Sequence, residues 1–371
     1  MTDDYDPLTG EPVDGARDMP EPEKKEKKIE DFDPVTGDPI PPGERPAEDG
    51  EPPAESYDLV TGAPLSPAPG NGGGKGGSED GDDGKDRGEI LSALRGMVSF
   101  FTIIRLPVGQ REFDAMERNF WLAPVVGALV GFVAFAVCIL LGAAGFGYLE
   151  QGAFALASAY LFSKFLHFDG LTDFGDGMVC SSGSRDKHVR ALKDTLVGAG
   201  GVGVAIVTVL LTVILYYRAG ASLPFAVELG RSYLAVNVAF LAFACEVLVK
   251  NAQVAAAAYG EPGNGMASRQ VGCTDSNSLI RSTAVTAVLL VLIGFLFAVF
   301  CTNVYGYGFA VGSFAILFVA AISASIIAGW AMARIANRNF GFVNGDILGA
   351  TNEISRAVVL LVVAVLFGVF Y

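Results

Sequence analysis

The pattern of polar and apolar positions divides the chain in two. Residues 1–90 are polar almost throughout and show neither helical nor alternating apolar periodicity. Beyond them, long unbroken apolar runs follow at about residues 122–148, 152–166, 198–217, 232–258, 279–301, 309–332 and 348–371. A helix of roughly 20 residues spans a hydrocarbon core of about 30 Å. Continuous runs of this kind satisfy their backbone as helices, whereas a barrel would show alternation. The pattern predicts an all-α, polytopic integral membrane protein with about seven transmembrane helices over residues 91–371, preceded by a disordered acidic tail over residues 1–90. The run at 152–166 is the shortest and depends on its neighbours, and a break is expected near Glu228–Arg231. Ile90–Leu106, which carries Arg95 and Arg105, reads as an interfacial helix leading into the first span.

Composition sharpens the division. The tail holds 25 Asp and Glu against 9 Lys and Arg, and 14 of the 18 prolines, while the remaining 281 residues hold 15 acids and 17 bases. A soluble body of that size would be about a quarter charged, so an ordinary soluble enzyme is excluded. No basic patch stands out, so no nucleic-acid partner is expected. The tail cannot bury enough apolar surface to offset the entropy of ordering. Gly70–Gly77 reads as a flexible linker. One motif recurs at Asp4–Val13, Asp31–Ile40 and Ser56–Leu65, too irregularly spaced for a solenoid. It is either a duplicated neutral spacer or a trivalent element that docks an unknown protein partner through linkage. The N-terminus has no basic start followed by an apolar stretch, so no secretory leader is expected.

Lys and Arg alternate between loops. Arg105, Arg111 and Arg118 precede the first run; Arg185, Lys187, Arg190 and Lys193 follow the second; Lys250 and Arg269 come at and after the fourth; Arg334 and Arg338 come at the end of the sixth. The opposite loops are nearly bare. The charge rule then places the N-terminus, and the site described next, on the cytoplasmic side of the cell membrane. The five cysteines form no CxxC pair and read as apolar fillers or reduced thiols. His188 reads as a solvated loop residue.

In a body so poor in charge, ionisable residues at membrane depth mark function. Asp169, Asp173 and Asp176 fall at i, i+4 and i+7, on one helix face, beside His167. No Lys or Arg lies among them, so a cation is needed to hold them together. Hard oxygen donors with room for water and phosphate suit Mg2+, or Mn2+, better than zinc. Gly170 and Gly177 on the same face leave space for a bulky ligand. Lys193 and Asp194 open a glycine-rich helix start at Gly198 and Gly200, which reads as a phosphate acceptor or as a cap followed by lipid-packed glycines. Glu246 and Lys250 are either substrate-facing or a plain helical ion pair. Asp346 and Glu353 share a face, with Asn352 and Arg356 nearby, and the polar stretch Gly260–Arg269 either covers a substrate or merely connects. On the predicted topology these clusters converge on one side and together suggest metal-assisted phosphoryl transfer.

The string His167-x-Asp169-Gly170-Leu171-x-Asp173-x-x-Asp176-Gly177 resembles the signature of the cobalamin synthase family, the adenosylcobinamide-GDP ribazoletransferases. Phe101-Thr-Ile-Ile-Arg105-Leu-Pro107, Lys193-Asp194-Thr195 with Gly198 and Gly200, and Gly345-Asp346-x-x-Gly349-Ala-x-x-Glu353 are similar to further stretches of the same family, so the resemblance covers about residues 95–370. Lys164 stands where many members have a small residue, and the tail lies outside the family pattern. The resemblance implies an integral membrane enzyme that joins adenosylcobinamide-GDP to α-ribazole or its 5′-phosphate, releases GMP and needs a divalent metal, usually Mg2+. On that reading Asp169, Asp173 and Asp176 hold the metal on the diphosphate. Lys193, Asp194, Gly198, Gly200, Glu246, Lys250, Asp346 and Glu353 bind substrate and phosphate. His167 is the first candidate for general base and Asp176 the second. The competing readings are a CDP-alcohol phosphotransferase, disfavoured because Met178-Val179-Cys180 follows Asp176-Gly177 where that family has Ala-Arg, and a cation-coupled transporter, disfavoured because the acids sit at span ends and no halves repeat.

Overall fold

The computed structural model describes residues 82–180, 184–223, 227–229, 232–234, 236–263, 265, 267–305 and 311–370. The three tail repeats and the Gly70–Gly77 linker lie outside these residues. Helix α1 (Asp82–Phe101) begins inside the stretch whose composition marks it as disordered. It packs on α2 (Gln110–Arg118), burying Ala93, Met97 and Phe101. A 3-10 turn at Phe120–Leu122 leads into α3 (Ala123–Ala143), with Pro124 at its first turn, where a missing N–H costs nothing. There follow α4 (Tyr148–Phe162), α5 (Leu166–Val179), α6 (Arg185–Leu192) and α7 (Ala199–Ser222). The expected break near Glu228–Arg231 is a short antiparallel hairpin, β1 (Val227–Leu229) with β2 (Ser232–Leu234), pairing Val227 with Leu234. The chain continues through α8 (Val236–Tyr259), α9 (Ala267–Gly272), α10 (Ser276–Tyr305), α11 (Val311–Asn339) and α12 (Gly345–Phe370).

Among the described residues, six helices are long and apolar enough to cross a bilayer: α3 with its preceding turn, α7, α8, α10, α11 and α12. The run predicted at 152–166 is α4, which is shorter than these six. Helix α4 has only 15 residues, about 22 Å of rise, and stops because Lys164 and Phe165 both take left-handed backbone conformations.

Helix α8 is the axis of the bundle. Its most apolar stretch is entirely buried, and it packs against α3, α10, α11 and α12. Lipid is as apolar as leucine, so helices in a bilayer associate through close backbone approach rather than hydrophobic drive. Gly127 and Gly131 of α3 make that approach possible. A Cβ on Gly131 would lie 2.8 Å from the Phe243 carbonyl oxygen, and one on Gly127 would strike the backbone of Glu246. The outward faces of α7 and α10 present Leu210, Ile214, Val288 and Phe295, as a lipid-facing surface requires.

Candidate active site

The site begins where α4 ends. The Phe165 amide donates to the Tyr160 carbonyl at 2.9 Å and the Lys164 amide to the Leu161 carbonyl at 3.3 Å. This is the Schellman pattern, normally closed by glycine, here closed by Lys164 at φ 56°. Phe165 follows at φ 57° and redirects the chain into α5, with Asp169 in its first turn.

Helix α5 then crosses the start of α12 at two glycines. A Cβ on Gly170 would lie 2.6 Å from the Asp346 carbonyl oxygen, and one on Gly349 would lie 3.3 Å from the Gly170 Cα. The crossing brings Asp346 of α12 beside Asp169 and Asp173 of α5. Burial first, then the neighbouring charges of Asp346, Asp169 and Asp176, push the Asp173 carboxyl up to about 6. Asn344 shapes the start of α12: its Oδ1 accepts from the Ile347 amide at 3.1 Å and its Nδ2 donates to Asp346 Oδ2 at 2.7 Å. The Lys193 charge acts on Asp346, and its ammonium lies 5.8 Å from the centre of the Phe342 ring. Asp194 is exposed and its Oδ1 accepts from the Leu196 amide at 3.1 Å, a local turn.

Asp176 is placed differently from the other acids. Its Oδ2 accepts from the Gly198 amide at 2.6 Å and its Oδ1 from the Gly201 amide at 2.7 Å. The amides at the start of α7, read from sequence as a phosphate acceptor, are thus held by a carboxylate of α5. The glycines admit it: a Cβ on Gly198 would lie 2.5 Å from Asp176 Oδ1, and one on Gly200 would lie 3.2 Å from the same atom.

The space expected at Gly170 and Gly177 for a bulky ligand is filled from within the protein. Gly170 receives the α12 backbone, and Gly177 receives the Phe340 ring, 2.8 Å from where its Cβ would stand. His188 is not a solvated loop residue. It lies on α6, half-buried, and its Nδ1 donates to the Gly177 carbonyl at 2.7 Å. The segment after α8 is tied down as well: the Val343 amide donates to the Glu261 carbonyl at 2.8 Å, and Arg269 pairs with Asp114 at 3.0 Å and Glu117 at 3.3 Å on α2.

Glu246, Lys250 and Glu353 lie deeper, in a buried polar network that links α4, α5, α8 and α12. Glu246 and Lys250 do not pair with each other. The Arg356 guanidinium bridges Glu246, at 2.8 and 3.0 Å, and Glu353. The Tyr160 hydroxyl donates to Glu353 Oε2 at 2.7 Å, and Asn352 Nδ2 to Glu353 Oε1 at 3.0 Å. Lys250 Nζ donates to Asn352 Oδ1 at 2.9 Å, to Gln253 Oε1 at 3.0 Å and to His167 Nε2. Burial, then the nearby Lys250 and Arg356 charges, lower the His167 pKa, which favours the neutral imidazole. Tyr160 and Gln253 are the members that sequence reasoning missed. Tyr160 had a faint signal, since a buried tyrosine hydroxyl in an apolar run needs a partner.

Asp169, Asp173 and Asp346 are hard oxygen donors, and none of them forms an ion pair among the described residues. Among those residues no three His, Cys, Asp or Glu side chains converge closely enough to cage an ion by themselves. Mg2+ is ordinarily held by one or two carboxylates together with substrate phosphates and water. The cluster fits that arrangement, as the protein half of a site that a diphosphate would complete.

The chain matches the family described as cobalamin-5-phosphate synthase over residues 93–364. It is 32% identical over 287 residues to the adenosylcobinamide-GDP ribazoletransferase of Methanosarcina mazei, covering 74% of this chain and 92% of that protein. It is 31% identical over 280 residues to the enzyme of that name from Methanosarcina barkeri, covering 74% and 92%. It is 31% identical over 278 residues to the one from Halorubrum lacusprofundi, covering 73% and 96%. No solved structure matches the chain. With the family matched over most of its length and six helices able to cross a bilayer, the chain belongs to the cobalamin-5-phosphate synthase family and is a multi-pass membrane transferase.

Proposed function

We propose that the protein joins adenosylcobinamide-GDP to α-ribazole or its 5′-phosphate and releases GMP. In the reaction a free ribose hydroxyl oxygen of the ribazole forms a bond to the phosphorus that carries the cobinamide. The bond from that phosphorus to the GMP oxygen breaks, and the hydroxyl proton passes to a base. The observation that carries the reading is the meeting of Asp169, Asp173 and Asp346 where α5 crosses α12, in a chain of this family. One or two of these carboxylates, with the substrate diphosphate and water, would hold Mg2+, or Mn2+, which when bound neutralises charge on the diphosphate. Lys193 adds positive charge at the same end. Phosphoryl transfer asks a protein mainly for positioning and charge neutralisation, and this arrangement supplies both.

Asp176 serves in this reading as the anchor of α7 rather than as a metal ligand. His167 is the proton acceptor, on the condition that Nε2 exchanges Lys250 for the substrate hydroxyl; hydrogen bonds of catalytic bases commonly rearrange when substrate binds. Full turnover in His167→Ala would remove it from that role. Glu246, Glu353 and Lys250 hold the four helices in register behind the acids. The alternation of basic loops supports a cytoplasmic placement of the site.

The reading is tested by supplying adenosylcobinamide-GDP and α-ribazole to the protein in liposomes and following GMP and cobalamin by mass spectrometry. Both products in equal amount are expected. Their absence from folded, inserted protein, with a CDP-alcohol and a lipid acceptor giving CMP instead, would transfer the chain's chemistry to lipid synthesis.

A further inference from the structure

A cavity of about 380 Å³ opens between α5 and α7, lined by Phe165, Phe168, Asp169, Thr172, Val202 and Ile206 among others. It lies next to the acids and is otherwise apolar. Taking the transfer reaction proposed above as its premise, we infer that this groove seats the flat aromatic base of the ribazole acceptor, with the ribose end turned toward Asp169.

Three observations converge on this occupant. The first is polarity. The groove is apolar along its length and ends at one carboxylate of the acid cluster, so it suits an uncharged flat body whose reactive end is polar. Ribazole, a benzimidazole carrying ribose, has that division. The second is size. A cavity of about 380 Å³ is at the small end of the range for ligand pockets. It takes a bicyclic base and part of its sugar but not a corrin macrocycle, which leaves the donor substrate to lie elsewhere.

The third is backbone strain. Lys164 and Phe165 are the only non-glycine residues with positive φ among the described residues, and they are consecutive. Such conformations persist where the surroundings demand them, and they concentrate at functional positions. Here they turn the chain so that Phe165 stands at the groove, 6.1 Å from Phe168 and nearly perpendicular to it, with Tyr160 packed against both rings at 5.7 and 5.3 Å. The result is a fixed aromatic corner of the kind that stacks a nucleobase-like ring. A lipid acyl chain is the rival occupant, because Val202 and Ile206 are exposed on the outer side. An acyl chain makes no use of an aromatic corner.

The test uses the full chain in nanodiscs. Initial rates of GMP release are measured with ribazole varied at saturating adenosylcobinamide-GDP, and then the reverse. Val202→Trp fills the groove from its exposed side, and Phe165→Ala removes part of the corner. Each is expected to raise KM for ribazole about 10-fold, the scale of a lost base–aromatic stack, with KM for the donor within about two-fold of wild type. Wild-type turnover with ribazole KM unmoved in both variants would overturn the groove assignment and leave the reaction intact. So would equal movement of both KM values, or loss of co-purified phospholipid in Val202→Trp without a change in ribazole KM, which would assign the groove to an acyl chain. No GMP from the wild-type protein would instead overturn the reaction, and the occupant with it.

Discussion

Asp176, near the end of α5, and Gly198, at the start of α7, are joined at 2.6 Å, with the glycine amide donating to Oδ2 while Oδ1 accepts from Gly201. One carboxylate therefore caps a membrane helix from a neighbouring helix, satisfying two donors that would otherwise be left unpaired. Asp176→Ala should lower stability by about 2 kcal/mol, read as a fall of several degrees in thermal unfolding in detergent. Asp176→Asn, which keeps one acceptor, should fall between. An unchanged unfolding temperature together with a lost response to Mg2+ would return Asp176 to the metal site.

The network around Arg356 makes a different demand. Its guanidinium is buried between Glu246 and Glu353, so removing it leaves two acids uncompensated. Arg356→Met should cost roughly 3–5 kcal/mol and leave little monodisperse protein. Glu246→Gln, which keeps a hydrogen-bond acceptor for the same guanidinium, should cost less. Wild-type yield and unfolding temperature in Arg356→Met would contradict the placement of that side chain.

Lys164 closes the C-terminus of α4 with φ 56°, a conformation that glycine takes at no steric cost. Lys164→Gly should therefore stabilise the protein by about 1 kcal/mol, seen as a small rise in unfolding temperature. A fall would mean that the lysine stem and its 3.4 Å hydrogen bond to the Ser99 carbonyl outweigh the backbone strain.

The acid cluster predicts a pH dependence. The Asp173 carboxyl is pushed up to about 6 by burial and by Asp346, Asp169 and Asp176. Protons therefore compete with cations for it, and apparent Mg2+ affinity should fall as pH drops through about 6. Asp346→Asn removes one repelling charge, so it should lower the Asp173 pKa and move the acid limb of the binding curve to lower pH. The check is Mn2+ binding followed by electron paramagnetic resonance between pH 5 and 8, with Mn2+ standing in for Mg2+. An acid limb in the same place in wild type and variant would break the coupling between the two aspartates.

Much of this was legible in the residues. The apolar runs gave the helices because bilayer thickness fixes their length, and the hairpin at Val227–Leu234 fell where Glu228 and Arg231 interrupt an apolar run. The grouping of Asp169 and Asp173 followed from helical spacing alone. What spacing could not give was which groups face each other across helices. Gly170 and Gly177 read as open space because sequence does not show that the α12 backbone and the Phe340 ring fill it. Glu246 and Lys250 read as a possible pair because helical neighbours are visible in sequence, whereas Arg356, 110 positions away, is not. The glycines before α7 suit a phosphate and a carboxylate equally, and only the fold brings Asp176 to them. The short length of α4 turned on two left-handed residues that no propensity favours.

The most direct measurement is the rate of GMP release as a function of Mg2+ concentration in wild type, Asp173→Asn and Asp346→Asn, all reconstituted in liposomes. The account predicts GMP release that requires Mg2+, with a rate at least about 100-fold lower in each variant, the scale of losing one charged group from a phosphoryl-transfer site, and with more Mg2+ needed to reach half of it. Wild-type rates and an unchanged Mg2+ requirement in both variants would contradict it.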